Sequence, residues 1–124
     1  MNIQKAAKLF GIGFILIGVL GFVPGVTTDD GLLLGIFQVD AIHNVIHLLS
    51  GIVALICAGS FGASKSYFKI FGVVYALVTI IGFANGESIL GIFSINGADN
   101  LLHLVIAVVA LYYGFSGPKQ VVVA

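Results

Sequence analysis

The chain has 124 residues, of which 60% are hydrophobic and 8% charged, and its mean hydropathy is +1.20. This composition lies outside the range of soluble globular domains and indicates an integral membrane protein with the lipid bilayer as its surroundings. A net charge of zero and the absence of arginine argue against a nucleic-acid partner. The length suffices for four spans of about 20 residues, so residues 1–124 are predicted to form a single membrane domain.

Four apolar segments follow one another along the chain, each long enough as a helix to cross the hydrocarbon core of a bilayer. They cover residues 6–23, 40–60, 67–84 and 97–115. The sequence LGIF lies before the second segment and again before the fourth. These LGIF segments are too short to span a bilayer and too apolar for exposed loops. We expect them to fold back over the bundle or to lie at the membrane interface.

Three short sequences occur twice, at corresponding places in the two halves of the chain. They are KLFG (8–11) and KIFG (69–72), LGIF (34–37 and 90–93), and HNVIHL (43–48) and DNLLHL (99–104). An internal repeat over residues 6–60 and 67–115 therefore predicts two tandem helical hairpins. Because each unit holds an even number of spans, the units keep their orientation and are related by a pseudo-two-fold axis along the membrane normal. The predicted fold class is an all-α membrane protein, a four-transmembrane-helix bundle.

Charge predicts the orientation of the spans. All five lysines lie near the start of the first segment, near the start of the third, or after the fourth. All five acidic residues lie in or beside the other two connections. By the positive-inside rule, both termini are cytoplasmic. The chain is therefore expected to be a multi-pass protein of the inner (plasma) membrane.

Polar residues begin the second and fourth segments. Asp40 and Asn96 are predicted N-caps, and Asp99 stands three positions after Asn96, as in a capping box. Asn44 and His47 are three positions apart and share a helix face with small residues. Small residues allow membrane helices to approach closely, so this face is expected to point into the bundle. The fourth segment repeats the pattern.

The sequence LLGIFQVDAIHNVIHLLSG, followed later by NGADNLLHLVIAVVAL, resembles DUF4383, a family of small bacterial membrane proteins of unknown function. The recurring pattern of that family is L-G-x-F leading into N-x-x-H-L and a small residue, and both copies are present here. The resemblance implies a four-helix architecture and importance for Asn44, His47, Asn100 and His103. It implies no activity, cofactor or substrate. The second copy departs from the pattern at Ala107.

We interpret the polar residues first as a structural hydrogen-bond network that locks the two helical hairpins together. Its members are Asp40, His43, Asn44, His47, Asn96, Asp99, Asn100 and His103. In this interpretation His47 and His103 each bond an asparagine or a backbone carbonyl, and His43 pairs with Asp99. The protein is then a structural or accessory subunit of a membrane assembly, with other membrane proteins as partners and no cofactor.

A ligand site is the alternative interpretation, because ionisable groups inside a membrane are functional candidates. His47 and His103 could hold haem or a pigment, and His43, His47, Asp99 and His103 could hold a transition metal. Proton or cation transport through the same cluster is a third possibility. We expect no enzymatic activity, because the sequence places no base beside Ser50.

Overall fold

Four apolar helices make up most of residues 1–121, the part of the chain that this computed structural model describes. They are α1 (Ile3–Leu20), α2 (Ala41–Cys57), α3 (Phe61–Asn85) and α4 (Gly97–Leu111), which a π-helical turn (Tyr112–Ser116) continues. Helices α1 and α3 and the stretch Gly97–Ser116 are each long and apolar enough to cross a membrane. Helix α2 is apolar but has only 17 residues. The prediction of four apolar helices is confirmed.

Large apolar side chains cover the outer faces of the helices. Ile12, Leu16, Ile80 and Val108 are each between 55% and 66% exposed. A soluble protein rarely exposes apolar surface of this extent without a partner. The outer surface therefore suits a hydrocarbon environment, in agreement with the predicted membrane protein.

Polar side chains cap the helices at the predicted positions. The Oδ1 atom of Asp40 accepts a hydrogen bond from the N–H of His43 at 2.8 Å and so caps α2. Asn96 caps α4 by accepting from the N–H of Asp99 at 3.0 Å, and the Asp99 carboxylate accepts from the N–H of Asn96 at 2.9 Å. The two predicted N-caps and the predicted capping box are thus confirmed.

Glycines bring the helices of each half close together. Gly11 lies against Gly51, and Gly18 lies against Asn44, so α1 and α2 pack antiparallel. A Cβ on Gly51 would come within 2.7 Å of the Gly11 carbonyl oxygen, which only glycine avoids. Helices α3 and α4 pack in the same antiparallel manner.

The LGIF segments form tight β-hairpins, which corrects the all-α prediction. The first hairpin pairs β1 (Leu32–Leu33) with β2 (Phe37–Gln38), and the second pairs β3 (Ser88–Ile89) with β4 (Phe93–Ser94). At the tips, Leu34 and Leu90 have φ of 55° and 52°, and Gly35 and Gly91 follow with 70° and 71°. Two successive residues with positive φ are characteristic of type I′ turns, whose twist matches that of the paired strands. The fold is therefore mostly helical with two small antiparallel sheets.

Each hairpin lies on the start of a helix from the other half of the chain. The Oδ2 atom of Asp40 accepts from the N–H of Ser94 at 2.7 Å, so the second hairpin contacts α2. The Nδ2 of Asn96 donates to the carbonyl oxygen of Ile36 at 2.8 Å, so the first hairpin contacts α4. Both hairpins thus share one end of the bundle, the hairpin end. The connection between α2 and α3 lies at the opposite end, the terminal end.

Candidate metal centre

Three buried histidines meet inside the bundle, one helical turn below the hairpin end. His43 and His47 lie four residues apart on α2, and His103 projects from α4. Each is at most 2% exposed. One ring nitrogen from each residue lies within 4.8 Å of the other two. We call these three residues the histidine triad.

The ring nitrogens of the triad have few partners among residues 1–121. The Nδ1 atom of His43 lies 3.0 Å from the carbonyl oxygen of Ser94. A carbonyl oxygen can only accept, so this Nδ1 carries the proton and the Nε2 of His43 presents a lone pair. That Nε2 and both ring nitrogens of His47 and of His103 make no hydrogen bond within the described residues. The predicted bonds from His47 and His103 to asparagines or carbonyls are therefore wrong.

Aromatic rings hold the triad in place from three sides. The Phe14 ring lies 5.7 Å from that of His47, and the Tyr75 ring lies 5.7 Å from that of His103, measured between ring centroids. Phe93 of the second hairpin lies 4.8 Å from His43. These contacts restrict the orientations of the three imidazole rings by packing.

Asp99 does not join the triad, contrary to the prediction of a fourth metal ligand and of a His43–Asp99 pair. Its carboxylate accepts the N–H of Asn96 in the capping box, while His43 faces Ser94. The residue is only 1% exposed and lines, together with His47, a small cavity of about 50 Å³. The carboxylate therefore lies near the triad as a buried acidic group outside the ligand set.

Asn44 and Asn100 face the neighbouring helix instead of the histidines. A Cβ on Gly21 would overlap the Oδ1 of Asn44, and a Cβ on Gly82 would overlap the Oδ1 of Asn100. Neither Oδ1 makes a hydrogen bond within the described residues. The two asparagines are inside the bundle as expected, but they pack against glycine backbone and do not extend the predicted network.

Sequence reasoning missed two contributions to the interior. One is the glycine pair Gly21 and Gly82, which follow Lys8 and Lys69 at the same distance and could have been found from the repeated KLFG and KIFG sequences. The other is Tyr75, whose hydroxyl lies 3.0 Å from the Oγ of Ser50. No local sequence signal predicts a contact between residues on different helices.

Asp40 places a partly buried carboxyl group at the hairpin end. Burial raises the pKa of this carboxyl group, but hydrogen bonds from the backbone N–H groups of His43 and Ser94 outweigh burial and lower the pKa below its usual value. The ionised carboxylate therefore stabilises the contact between α2 and the second hairpin.

The sequence of the chain matches one known family of proteins. The family model of DUF4383, a domain of unknown function, matches residues 4–116. That range contains the triad, both hairpins and the asparagine–glycine contacts, and it confirms the resemblance seen in the sequence. No curated protein and no solved structure matches the chain.

Proposed function

Because the chain belongs to DUF4383, a family described only as a domain of unknown function, we propose its function from the histidine triad: a membrane protein that binds a transition-metal ion. One observation carries the proposal. Five of the six ring nitrogens of His43, His47 and His103 are buried without a hydrogen-bond partner among the described residues, and the three rings converge. A buried polar atom without a partner costs about 1–3 kcal/mol, and coordination to a metal would remove that cost for one nitrogen of each ring.

The chemistry of the triad suits a first-row metal. Neutral imidazole is a good ligand for zinc, copper, iron and nickel, and three histidines leave one position open in a tetrahedral site. Zinc–nitrogen bonds of 2.0–2.1 Å place the nitrogens roughly 3.4 Å apart, so the triad must contract slightly from its present span of up to 4.8 Å. The bond between His43 Nδ1 and Ser94 is typical of a metal-ligating histidine, whose other nitrogen donates to a backbone carbonyl.

Haem and pigments suit the cavity less well than a single ion. A porphyrin held between His47 and His103 needs a flat slot between the two rings. The rings stand 6.0 Å apart with the His43 ring beside both, and Phe14 and Tyr75 cover their outer sides. The metal interpretation requires only small movements of side chains.

We also infer that all four helices cross the inner membrane, as two helical hairpins related by a pseudo-two-fold axis, with both termini cytoplasmic. The distribution of charge supports this arrangement: Lys5, Lys65 and Lys69 lie toward the terminal end, and Asp30 and Glu87 lie beside the hairpins. The hairpin end then faces outward. The triad lies inside the outer leaflet in this arrangement.

Metal analysis of the purified protein tests the proposal. Because the three histidines of the chain all belong to the triad, the affinity tag must contain no histidine. We expect one zinc or copper ion per chain, bound by nitrogen ligands in X-ray absorption, and loss of the ion in a His47→Ala, His103→Ala double variant. Asn44→Ala is the matched control, since Asn44 is equally buried on α2 but outside the triad.

A structural or accessory role is the second candidate function. The hairpin tips favour it, because Leu34, Ile36, Leu90 and Ile92 are 54–67% exposed at one end of the bundle and could contact another membrane subunit. If the purified protein binds neither metal nor haem and the histidine variants only lower its melting temperature, this role replaces metal binding. We propose no catalytic activity, and the contact of the Ser50 hydroxyl with Tyr75 supports a packing role for that serine.

A further inference from the structure

A cavity of about 230 Å³ adjoins the triad between α2 and α3. All three histidines form one wall of this cavity. The remaining wall is largely apolar and includes Ile46, Phe71, Val74, Val78 and Phe93. A metal held by the triad would therefore lie at the border of an apolar space that could admit a further ligand.

The cavity is bordered by the outer face of the bundle. Val74, which lines it, is 45% exposed, and Ile46 and Val78 are half-buried. These side chains belong to helix faces that the proposed membrane arrangement exposes to hydrocarbon. A guest would therefore enter from the lipid and not from water, which favours uncharged molecules.

Two hydroxyl groups form a polar part of the largely apolar cavity wall. Ser50 and Tyr75 both line the cavity, and their oxygens lie 3.0 Å apart. The pair has two O–H groups, and only one of them is used in the bond between the two oxygens. The second O–H remains available to donate to a lone pair on a guest.

On these grounds, and resting on the proposed metal site, we propose that the cavity binds an uncharged, lipid-soluble, single-ring molecule whose nitrogen or oxygen lone pair completes the coordination of the metal. The size follows from the volume, because a dry apolar cavity of about 150 Å³ accepts benzene and this cavity is larger, at about 230 Å³. The class follows from the lining, which combines apolar side chains, three imidazoles and one spare hydroxyl donor.

Titration of the Co(II)-loaded protein in detergent with pyridine tests this inference. Pyridine is uncharged and close to benzene in size, and its binding to the metal shifts the visible bands of Co(II). We expect a saturable shift with pyridine and none with azide at the same concentration, because an anion must be desolvated to enter an apolar cavity. Equal responses to pyridine and azide would show that the metal is open to water and would overturn the inference.

Substitutions on α3 locate the pyridine site. Val78→Phe and Val74→Phe place a ring in the cavity or at its edge, and each is expected to weaken pyridine binding at least tenfold while Co(II) remains bound. The matched control is Val73→Phe, because Val73 is 46% exposed, like Val74, but does not line the cavity. Val74→Phe adds its ring at a half-exposed position, so it keeps the test valid if Val78→Phe fails to fold.

The possible outcomes separate the two proposals. A protein that binds Co(II) through the triad but shows no pyridine shift retains the metal site and overturns the cavity inference. The same conclusion follows if Val74→Phe binds pyridine as tightly as Val73→Phe. A protein that does not bind Co(II) overturns the proposed function and the inference that rests on it.

Discussion

The two halves of the chain, residues 3–57 and 61–116, build similar interiors from partly different side chains. In the first half Phe14 packs on His47, and in the second Tyr75 packs on His103, with the same centroid distance of 5.7 Å. The asparagine–glycine contact also occurs in both halves. The framework around the two histidines is therefore closely matched.

The difference between the halves is concentrated at the start of α2 and α4. The third residue of α2 is His43, whose ring joins the triad, whereas the third residue of α4 is Asp99, whose carboxylate completes a capping box. The caps differ in the opposite sense, with an acid at Asp40 and an amide at Asn96. Each half thus places one carboxyl group at its helix start, but only the first half adds an imidazole. The two halves therefore share their helix packing but differ in the ionisable side chains at the helix starts.

Removing the third imidazole is expected to have the largest effect. In His43→Leu the proposed metal would lose one of its three ligands, and we expect zinc affinity to fall by more than about 100-fold, since loss of a partner outside the ligand set alone costs 10–100-fold. Competition with a chromophoric chelator measures the change. Asp99→Asn, at the matching position of α4, is expected to change affinity less than tenfold. Similar affinities for His43→Leu and the unmodified protein would remove His43 from the site.

Substitution of the glycines that contact the asparagines is expected to have the next largest effect. Gly21→Ala and Gly82→Ala each force a Cβ onto an asparagine oxygen, and overpacking of this kind costs about 2–3 kcal/mol of unfolding free energy. Unfolding of the detergent-solubilised protein by denaturant measures both variants. The control is Gly13→Ala, where a Cβ meets nothing within 4 Å and where alanine favours the helix. If only one of the two variants is destabilised, the halves are not equivalent at this contact.

The Asp40 carboxylate, which caps α2 and bonds the second hairpin, should make the stability of the protein depend on pH. The pKa of Asp40 is lowered in the folded protein from its usual 3.8, so the carboxylate stabilises the fold above about pH 4 and loses this effect as the pH falls through the lowered value. Asparagine has only one side-chain oxygen, so in Asp40→Asn its NH2 group can face the N–H of Ser94, and two donors then meet. We expect the free energy of unfolding to fall by about 1–2 kcal/mol at pH 7. Melting curves from pH 7 to pH 3 should show the two proteins converging at low pH. A constant difference would assign the effect to something other than ionisation.

The hairpin tips should give the smallest effect, and the same one in both halves. Leu34 and Leu90 occupy the left-handed region, which asparagine tolerates better than leucine. Because both side chains are more than 60% exposed, their replacement removes little packing. Leu34→Asn and Leu90→Asn are each expected to stabilise the protein by about 0.5–1 kcal/mol, seen as a small rise in melting temperature. A decrease would indicate that the tips contact something through their leucines.

The sequence allowed the helices and their caps to be predicted, because each depends on neighbours within one or two turns. Hydropathy marks an apolar helix, and Asp40 and Asn96 bond to backbone three residues away. The inward direction of Asn44 and His47 could also be predicted, because side chains three residues apart share a helix face. Helices, caps and helix faces all depend on residues that are close in the sequence.

Features that depend on the relative placement of helices could not be predicted. Whether Asn44 meets a histidine or Gly21 is decided by how α1 and α2 rotate about their axes, which no short sequence reports. The hairpins escaped prediction because strands of two residues are too short to show alternation. The exclusion of Asp99 from the triad likewise depends on its capping bond, which competes with any role as a ligand.

The crossed contacts between hairpins and helix starts impose an order on the biosynthesis of the protein. Asp40 is made long before Ser94, the residue that completes its hydrogen bonds, and Ile36 is made long before Asn96; the separations are 54 and 60 residues. Contacts so distant in sequence close only after the intervening chain has been synthesised and ordered. The hairpin end therefore cannot assemble before residue 96 has been synthesised. A nascent chain in which α4 has not yet been synthesised lacks His103 and cannot form the triad, so the proposed metal site is completed only when α4 joins the bundle.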